Sequence, residues 1–155
     1  MIIVIRDIEA ATSDANLLSA SGVSALPLAV LAYEPIELDS SIFDINYQSL
    51  IFTSKHAILH QDSFYNLPTW CVGSTTAKAA QNAGYKNVIT SLGDAQTLVK
   101  NLSKKTDREK GPLLWVSGFD IAFDIEAYLK NKKFRIHRAI SYRMRPLNHL
   151  PNWFT

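Results

Sequence analysis

The chain has 155 residues, enough for one ordinary domain or two small ones, with 47% hydrophobic and 19% charged residues and a net charge of +2. That balance excludes a disordered chain and gives no overall field to attract nucleic acid or an acidic membrane. The single cysteine, Cys71, excludes an internal disulfide and fits a reducing compartment.

The opening MIIVIRDIEA lacks the basic start and apolar run of a secretory signal. No stretch approaches the ~20 apolar residues of a membrane helix. A cytoplasmic protein is expected. In chain order, the apolar, β-branched run Ile2–Ile5 predicts a strand, and Glu9–Ala20 a helix stopped by Gly22. A strand over Ala25–Ala32 follows, then a strand at Ser49–Phe52 and a short helix at Lys55–His60. Thr69–Val72 predicts a strand and Thr75–Ala83 a helix that ends at Gly84. Next come a strand at Asn87–Thr90 and a helix at Ala95–Ser103 with Asp94 as N-cap. The last three elements are a strand at Leu113–Val116, a helix at Ile121–Lys130 capped by Asp120, and a strand at Phe134–Met144. Strands alternating with helices predict βαβ units and a mainly parallel sheet, so the expected fold class is α/β.

One internal similarity bears on domain organisation. IIVIRD…SGVSALPLAVLAYEP and LLWVSGFD…NKKFRIHRAISYRMRP share a plan: strand, polar turn, helix, break, then a strand longer than usual. Each long strand carries a tyrosine (Tyr33, Tyr142) and ends at a proline (Pro35, Pro146). Such a pair could be the outgoing and returning strands of a two-stranded connector between lobes. Two ordinary βαβ units in one domain are the alternative. On the connector reading, residues 1–35 are part of a first lobe and the outgoing linker, and residues 36–140 are a complete second lobe. Residues 141–155 are then the returning linker and a truncated start of the first lobe's remainder. An exposed apolar surface is expected near Ile2–Ile5 and Ala25–Ala32, or its cover by dimerisation or by a partner chain.

Three strand ends carry the candidate chemistry. Phe52 leads into Thr53-Ser54, Val72 into Gly73-Ser74-Thr75-Thr76, and Val116 into Ser117-Gly118. In a parallel sheet such turns line up on the carboxyl edge, where helix N-termini offer free N–H groups to a carboxylate or phosphate. N-capping by Ser and Thr, with no ligand, is the alternative at each turn. No Gly-x-Gly-x-x-Gly or Walker-type motif accompanies them.

A basic run also stands out, with seven of the sixteen Lys and Arg falling between Lys130 and Arg145. Period-two counting puts Phe134, Ile136, Ile140, Tyr142 and Met144 on one face and Arg135, His137 and Arg143 on the other. A solvated face or an acidic partner would each explain it. Nucleic acid is disfavoured, because the aromatics lie on the apolar side rather than among the charges. His56 and His60 have the spacing of two metal ligands but no third, so surface or half-buried histidines are expected there and at His137 and His149. Cys71, amid apolar neighbours, reads as a buried thiol, and Trp70, Trp115 and Trp153 as packing residues.

Several segments go further by their order. SLIFTSKHAI (49–58), WCVGSTTAKAAQNAGYKNV (70–88), GDAQTLVKNL (93–102) and the stretch from Leu113 to Pro146, with LPLAVLAYEP (26–35), collinearly resemble the uroporphyrinogen-III synthase family. That resemblance implies two α/β lobes, one flavodoxin-like, joined by a two-stranded linker. It implies a lyase of haem biosynthesis that closes the polycarboxylate hydroxymethylbilane, a linear tetrapyrrole, with inversion of the terminal pyrrole ring. No metal or organic cofactor is implied. Carried over residue by residue, Tyr142 matches the linker tyrosine that assists hydroxyl departure. Thr53, Ser54 and Thr76, with the backbone around Gly73 and Ser74, match groups that contact substrate carboxylates. Arg6 matches the arginine after the first strand, and Ser117 stands where the family carries a strand-end arginine. The family's Thr-Arg-Pro is here Ile5-Arg6-Asp7, and no second Phe-Thr-Ser unit follows the linker. A non-catalytic remnant that binds a tetrapyrrole or a protein is the alternative.

Overall fold

The computed structural model of the chain describes residues 1–148. His149 and Trp153, and most of the segment expected to continue the first lobe, lie outside the described residues. The chain divides into two compact units, one of Met1–Pro35 with the residues from Arg143 on, the other of Ile36–Tyr142.

In the smaller unit, β1 (Ile2–Arg6) and β2 (Ala25–Ala29) pair in parallel, from Ile2 opposite Ala25 to Arg6 opposite Ala29. Between them α1 (Ile8–Ala20) starts at Asp7, whose side chain accepts from the Ala10 N–H at 3.0 Å. It buries Ala11 and Ala15, one turn apart. The expected single strand over Ala25–Ala32 is instead two, because the chain changes partner at Val30. β3 (Leu31–Pro35) is hydrogen-bonded to the last strand of the fold, and the Val30 carbonyl accepts from the Leu147 N–H at 2.9 Å. Pro27 lies within β2, where its missing N–H suits an edge strand. Ile2, Ile5 and Leu26 are 45%, 59% and 36% exposed, so the apolar surface expected on these strands is there.

The larger unit is built on β4 (Ser49–Phe52), β5 (Pro68–Val72), β6 (Asn87–Ser91), β7 (Leu113–Gly118) and β8 (Ile136–Pro146), which continues into the smaller unit. They run in parallel in the order β8-β7-β4-β5-β6. Consecutive residues of a strand face opposite sides, so each central strand feeds two cores. On one face Leu50, Phe52, Cys71, Leu114 and Val116 pack with Ala77 and Ala80 of α2 (Gly73–Ala83). On the other Ile51, Trp70, Leu113 and Trp115 meet Leu98, Val99 and Leu102 of α3 (Ala95–Lys105) and Ile125 and Leu129 of α4 (Ile125–Asn131).

Two expected helices are corrected. Lys55–His60 yields only a 3-10 turn at Lys55–Ala57, entered through Ser54, whose hydroxyl accepts from the His56 N–H at 3.2 Å. Buried Ala57 is its whole core contribution, too little to extend the turn into a helix. The last helix begins at Ile125, not Ile121, because Asp124 rather than Asp120 caps it, accepting from the Ala127 N–H at 2.9 Å. Ile125 and Leu129 form its buried stripe, which leaves Ile121–Phe123 in the loop. At its end Lys133 takes φ 67°, and Phe134 N–H reaches the Leu129 carbonyl at 3.0 Å. That is a Schellman-type stop in which a left-handed residue other than glycine costs about 1 kcal/mol.

Candidate functional site

From β4 the chain proceeds to β5 and β6 on one side of the sheet and later to β7 and β8 on the other. The order therefore reverses between β4 and β7. Outside the carboxyl ends of strands at such a reversal, the loops diverge and leave a crevice. A cavity of about 320 Å³ opens there, lined by Thr53 and Ser54 after β4, Gly118 and the Asp120–Phe123 loop after β7, and Tyr142 of β8. Asp94, the cap of α3, and the indole of Trp115 complete its wall.

Tyr142 reaches this place through a bulge. Ser117 of β7 lies opposite Ile140 but Gly118 lies opposite Tyr142, so Ser141 is an extra residue in β8. Ile136 packs in the core next to α3 and α4. Strict alternation would send Tyr142 to that same face, as the period-two reading of this strand expects. The extra residue reverses the parity, and Tyr142 packs against the α2-side core, as does Ala139. Its ring lies 5.7 Å from the His56 imidazole, centroid to centroid.

The opposing strand end makes room for that ring. A Cβ on Gly118 would sit 2.7 Å from Tyr142 Cζ and 3.0 Å from its hydroxyl oxygen. Arg138 holds the turn in place. Its Nε donates to Ser117 Oγ at 2.9 Å and its Nη2 to the carbonyls of Gly118 and Phe119 at 2.9 and 3.0 Å. The guanidinium also stacks on the Trp115 ring, 4.9 Å from its centroid.

The sequence-predicted residues separate into groups. Thr53, Ser54 and Tyr142 come together at the cavity. Ser117 stands behind its wall, fully buried, with its hydroxyl taken by Arg138. From the second turn, Val72 lines the cavity. Gly73 opens α2 with φ 75°, Ser74 is exposed and Thr76 is buried. No side chain caps α2, so its first N–H groups keep their hydrogen-bonding capacity. Ser54 does serve as a cap, the alternative weighed for these turns. Arg6 belongs to the smaller unit, where it is exposed and ion-paired with Asp14 at 2.7 Å.

Sequence reasoning missed Arg138, Trp115, Asp94 and Asp120 as parts of this site. Arg138 left one signal, since it is a cation on the apolar parity of its strand. Hydrogen bonds from Thr97, its backbone N–H first, hold the Asp94 carboxyl below its ordinary range. Burial pushes the Cys71 thiol up to about 12, which leaves it inert. The basic run is not one surface: Arg138 is spent on the turn, while Arg143 and Arg145 both bind Glu34, Arg143 at 2.9 Å. Among the described residues no three of His, Cys, Asp and Glu converge as a metal site requires.

The family model described as uroporphyrinogen-III synthase HemD matches residues 13–154. Among solved structures, uroporphyrinogen-III synthetase from Helicobacter pylori is similar at 22% identity and a TM-score of 0.55, over 84% of this chain and 59% of that one. A mutant uroporphyrinogen III synthase from the extremely thermophilic bacterium Thermus thermophilus is similar at 15% identity and a TM-score of 0.62, over 95% of this chain and 64% of that one. At these identities the likeness is one of fold. The chain spans less than two thirds of the length of either structure. No curated protein matches it.

Proposed function

Because the chain belongs to the uroporphyrinogen-III synthase family, we propose that its strand-end cavity receives the reacting end of hydroxymethylbilane and promotes closure to uroporphyrinogen III. The observation that carries this reading is the convergence of Tyr142, Thr53 and Ser54 on one cavity at the strand-order reversal. Its volume of about 320 Å³ is at the low end for a ligand pocket, and suits one end of a tetrapyrrole rather than the whole.

The chemistry requires the terminal hydroxyl to leave. The pyrrole nitrogen supplies the electrons that break the C–O bond, and the Tyr142 phenol gives its proton to the departing oxygen, which leaves as water. The resulting cation is attacked by the terminal pyrrole ring, and the spiro intermediate rearranges to invert that ring. The proton lost when the last pyrrole regains aromaticity returns to the phenolate. Catalysis is then positioning plus one acid. Thr53 and Ser54 offer hydroxyls to a substrate carboxylate, and the uncapped start of α2 at Gly73 and Ser74 offers N–H groups to another. Asp94 and Asp120 suit pyrrole N–H donors instead, since carboxylates accept them and repel the substrate's own carboxylates. Ser117, engaged by Arg138, supports this wall from behind, whereas Thr76 is buried in α2 and does not line the cavity. Arg6 would contact a carboxylate only by sharing its bond to Asp14.

The test is the isomer ratio formed from hydroxymethylbilane with and without the protein. Uncatalysed closure gives the uninverted type I ring. Type III product, lost in Tyr142→Phe, is the expected result. Type I alone would reduce the protein to a binder, which a tetrapyrrole titration would then detect.

A further inference from the structure

In a parallel sheet the helices run back against the strands, so α3 and α4 both start at the edge that carries the candidate site and end at the opposite edge. There, about 16 Å away by the length of α3, lies a larger cavity of about 710 Å³. Its lining holds Lys100, Lys104, Arg108, Lys132 and Lys133 against the single carboxylate of Asp107. These cations come from two stretches more than twenty residues apart, brought together only by the fold.

Two ordinary explanations fall short. Lysines do offset helix C-terminal dipoles, but two helix ends amount to about one negative charge between them. Glu109 pairs with Arg108 at 3.4 Å and removes one more. About two positive charges in the lining stay uncompensated. The second observation is Lys133 itself. It occupies the left-handed stop of α4, at φ 67°, a position that glycine fills without strain. The chain keeps a strained lysine there, and that residue lines this cavity. Strain retained at a cavity wall is a mark of function.

We propose that this cavity is a second binding site, for a small multivalent oxyanion, independent of the strand-end site. Ammonium groups act as point charges for clustered phosphate or carboxylate oxygens, and the wide cleft admits either. Calorimetric titration of the full chain with inorganic tripolyphosphate and, separately, with citrate would test the site. Saturable binding that weakens with salt is expected. Tripolyphosphate alone would point to a phosphate-bearing ligand, and citrate of comparable affinity to a polycarboxylate.

Exposed Lys104→Glu with Lys133→Glu should weaken binding by about tenfold or more, whereas the control pair Lys78→Glu with Lys86→Glu should change it by less than about twofold. Lys133→Gly should weaken binding and yet raise Tm by about 2–4 °C. All these variants should leave the isomer ratio untouched, so the two sites succeed or fail separately. Absence of binding by both anions, or equal weakening by both charge-reversed pairs, would overturn the proposal.

Discussion

Gly118 and Tyr142 fit against each other with no room to spare: a single added methyl on Gly118 would stand 2.7 Å from the ring carbon that bears the hydroxyl. The clash falls on the far end of a side chain that can swing, so Gly118→Ala should cost only about 1 kcal/mol. Its functional effect should be much larger. Type III formation is expected to fall by at least about tenfold, because displacing an acid by an ångström removes most of its advantage. Assay of the isomer ratio beside a thermal melt separates the two, and an unchanged ratio would count against Tyr142 as the acid.

Arg138 should be among the most sensitive positions in the larger unit. Removing it strips hydrogen bonds from Ser117 Oγ and from the carbonyls of Gly118 and Phe119, and uncovers Trp115. Arg138→Ala is expected to destabilise by about 2–3 kcal/mol, or roughly 5–10 °C in Tm. Arg138→Lys should recover little, since an ammonium lacks the planar fork that reaches three acceptors at once. Thermal melts of both variants decide this, and full rescue by lysine would mean that charge alone matters.

The alternation of strands and helices was legible because each element carries its own period and stop. The βαβ plan, the strand ends with Thr53 and Ser54, and Tyr142 near the end of a long strand all followed from local pattern. What escaped depends on pairing across the fold. The strand read as Ala25–Ala32 breaks at Val30 because its two halves have different neighbours, which no local propensity encodes. Asp120 and Asp124 are equivalent as caps on paper, and burial of Ile125 and Leu129 chooses between them. The basic run looked like one surface, yet Arg138 turns inward, Arg143 and Arg145 are claimed by Glu34, and Lys132 and Lys133 join lysines of α3.

Cys71 should resist modification. Its side chain is fully buried and its thiol is pushed up to about 12, so almost none is thiolate at pH 8. A thiol reagent added to the folded protein should release no chromophore over minutes, and one equivalent once denaturant is present. Rapid labelling of the native state would show that the α2-side core opens.

Glu34 predicts how the smaller unit answers to acid. Burial works to raise its carboxyl, but the hydrogen bonds and charges of Arg143 and Arg145 outweigh that and hold it below the usual range. The stability it contributes is fully present above the ordinary glutamate value of about 4.3 and is lost as the pH falls through its lower folded value. Glu34→Gln should therefore melt earlier than the parent at pH 7, with the gap closing towards about pH 3. Melts across that range test it, and a constant gap would exclude the ion pairs as its source.

The bulge at Ser141 makes the aim of Tyr142 a matter of counting. Every substitution along β8 leaves the tally of residues intact, so the phenol stays on its side of the sheet. Deleting one residue between Ala139 and Tyr142 would be absorbed by loss of the bulge, since plain alternation then keeps the ring on the face of Ala139 and opposite Gly118. One residue more between the same two positions, with the single bulge kept, would instead carry the ring through the sheet. A chain longer by one codon could keep its core and its tyrosine and still point its acid away from the cavity.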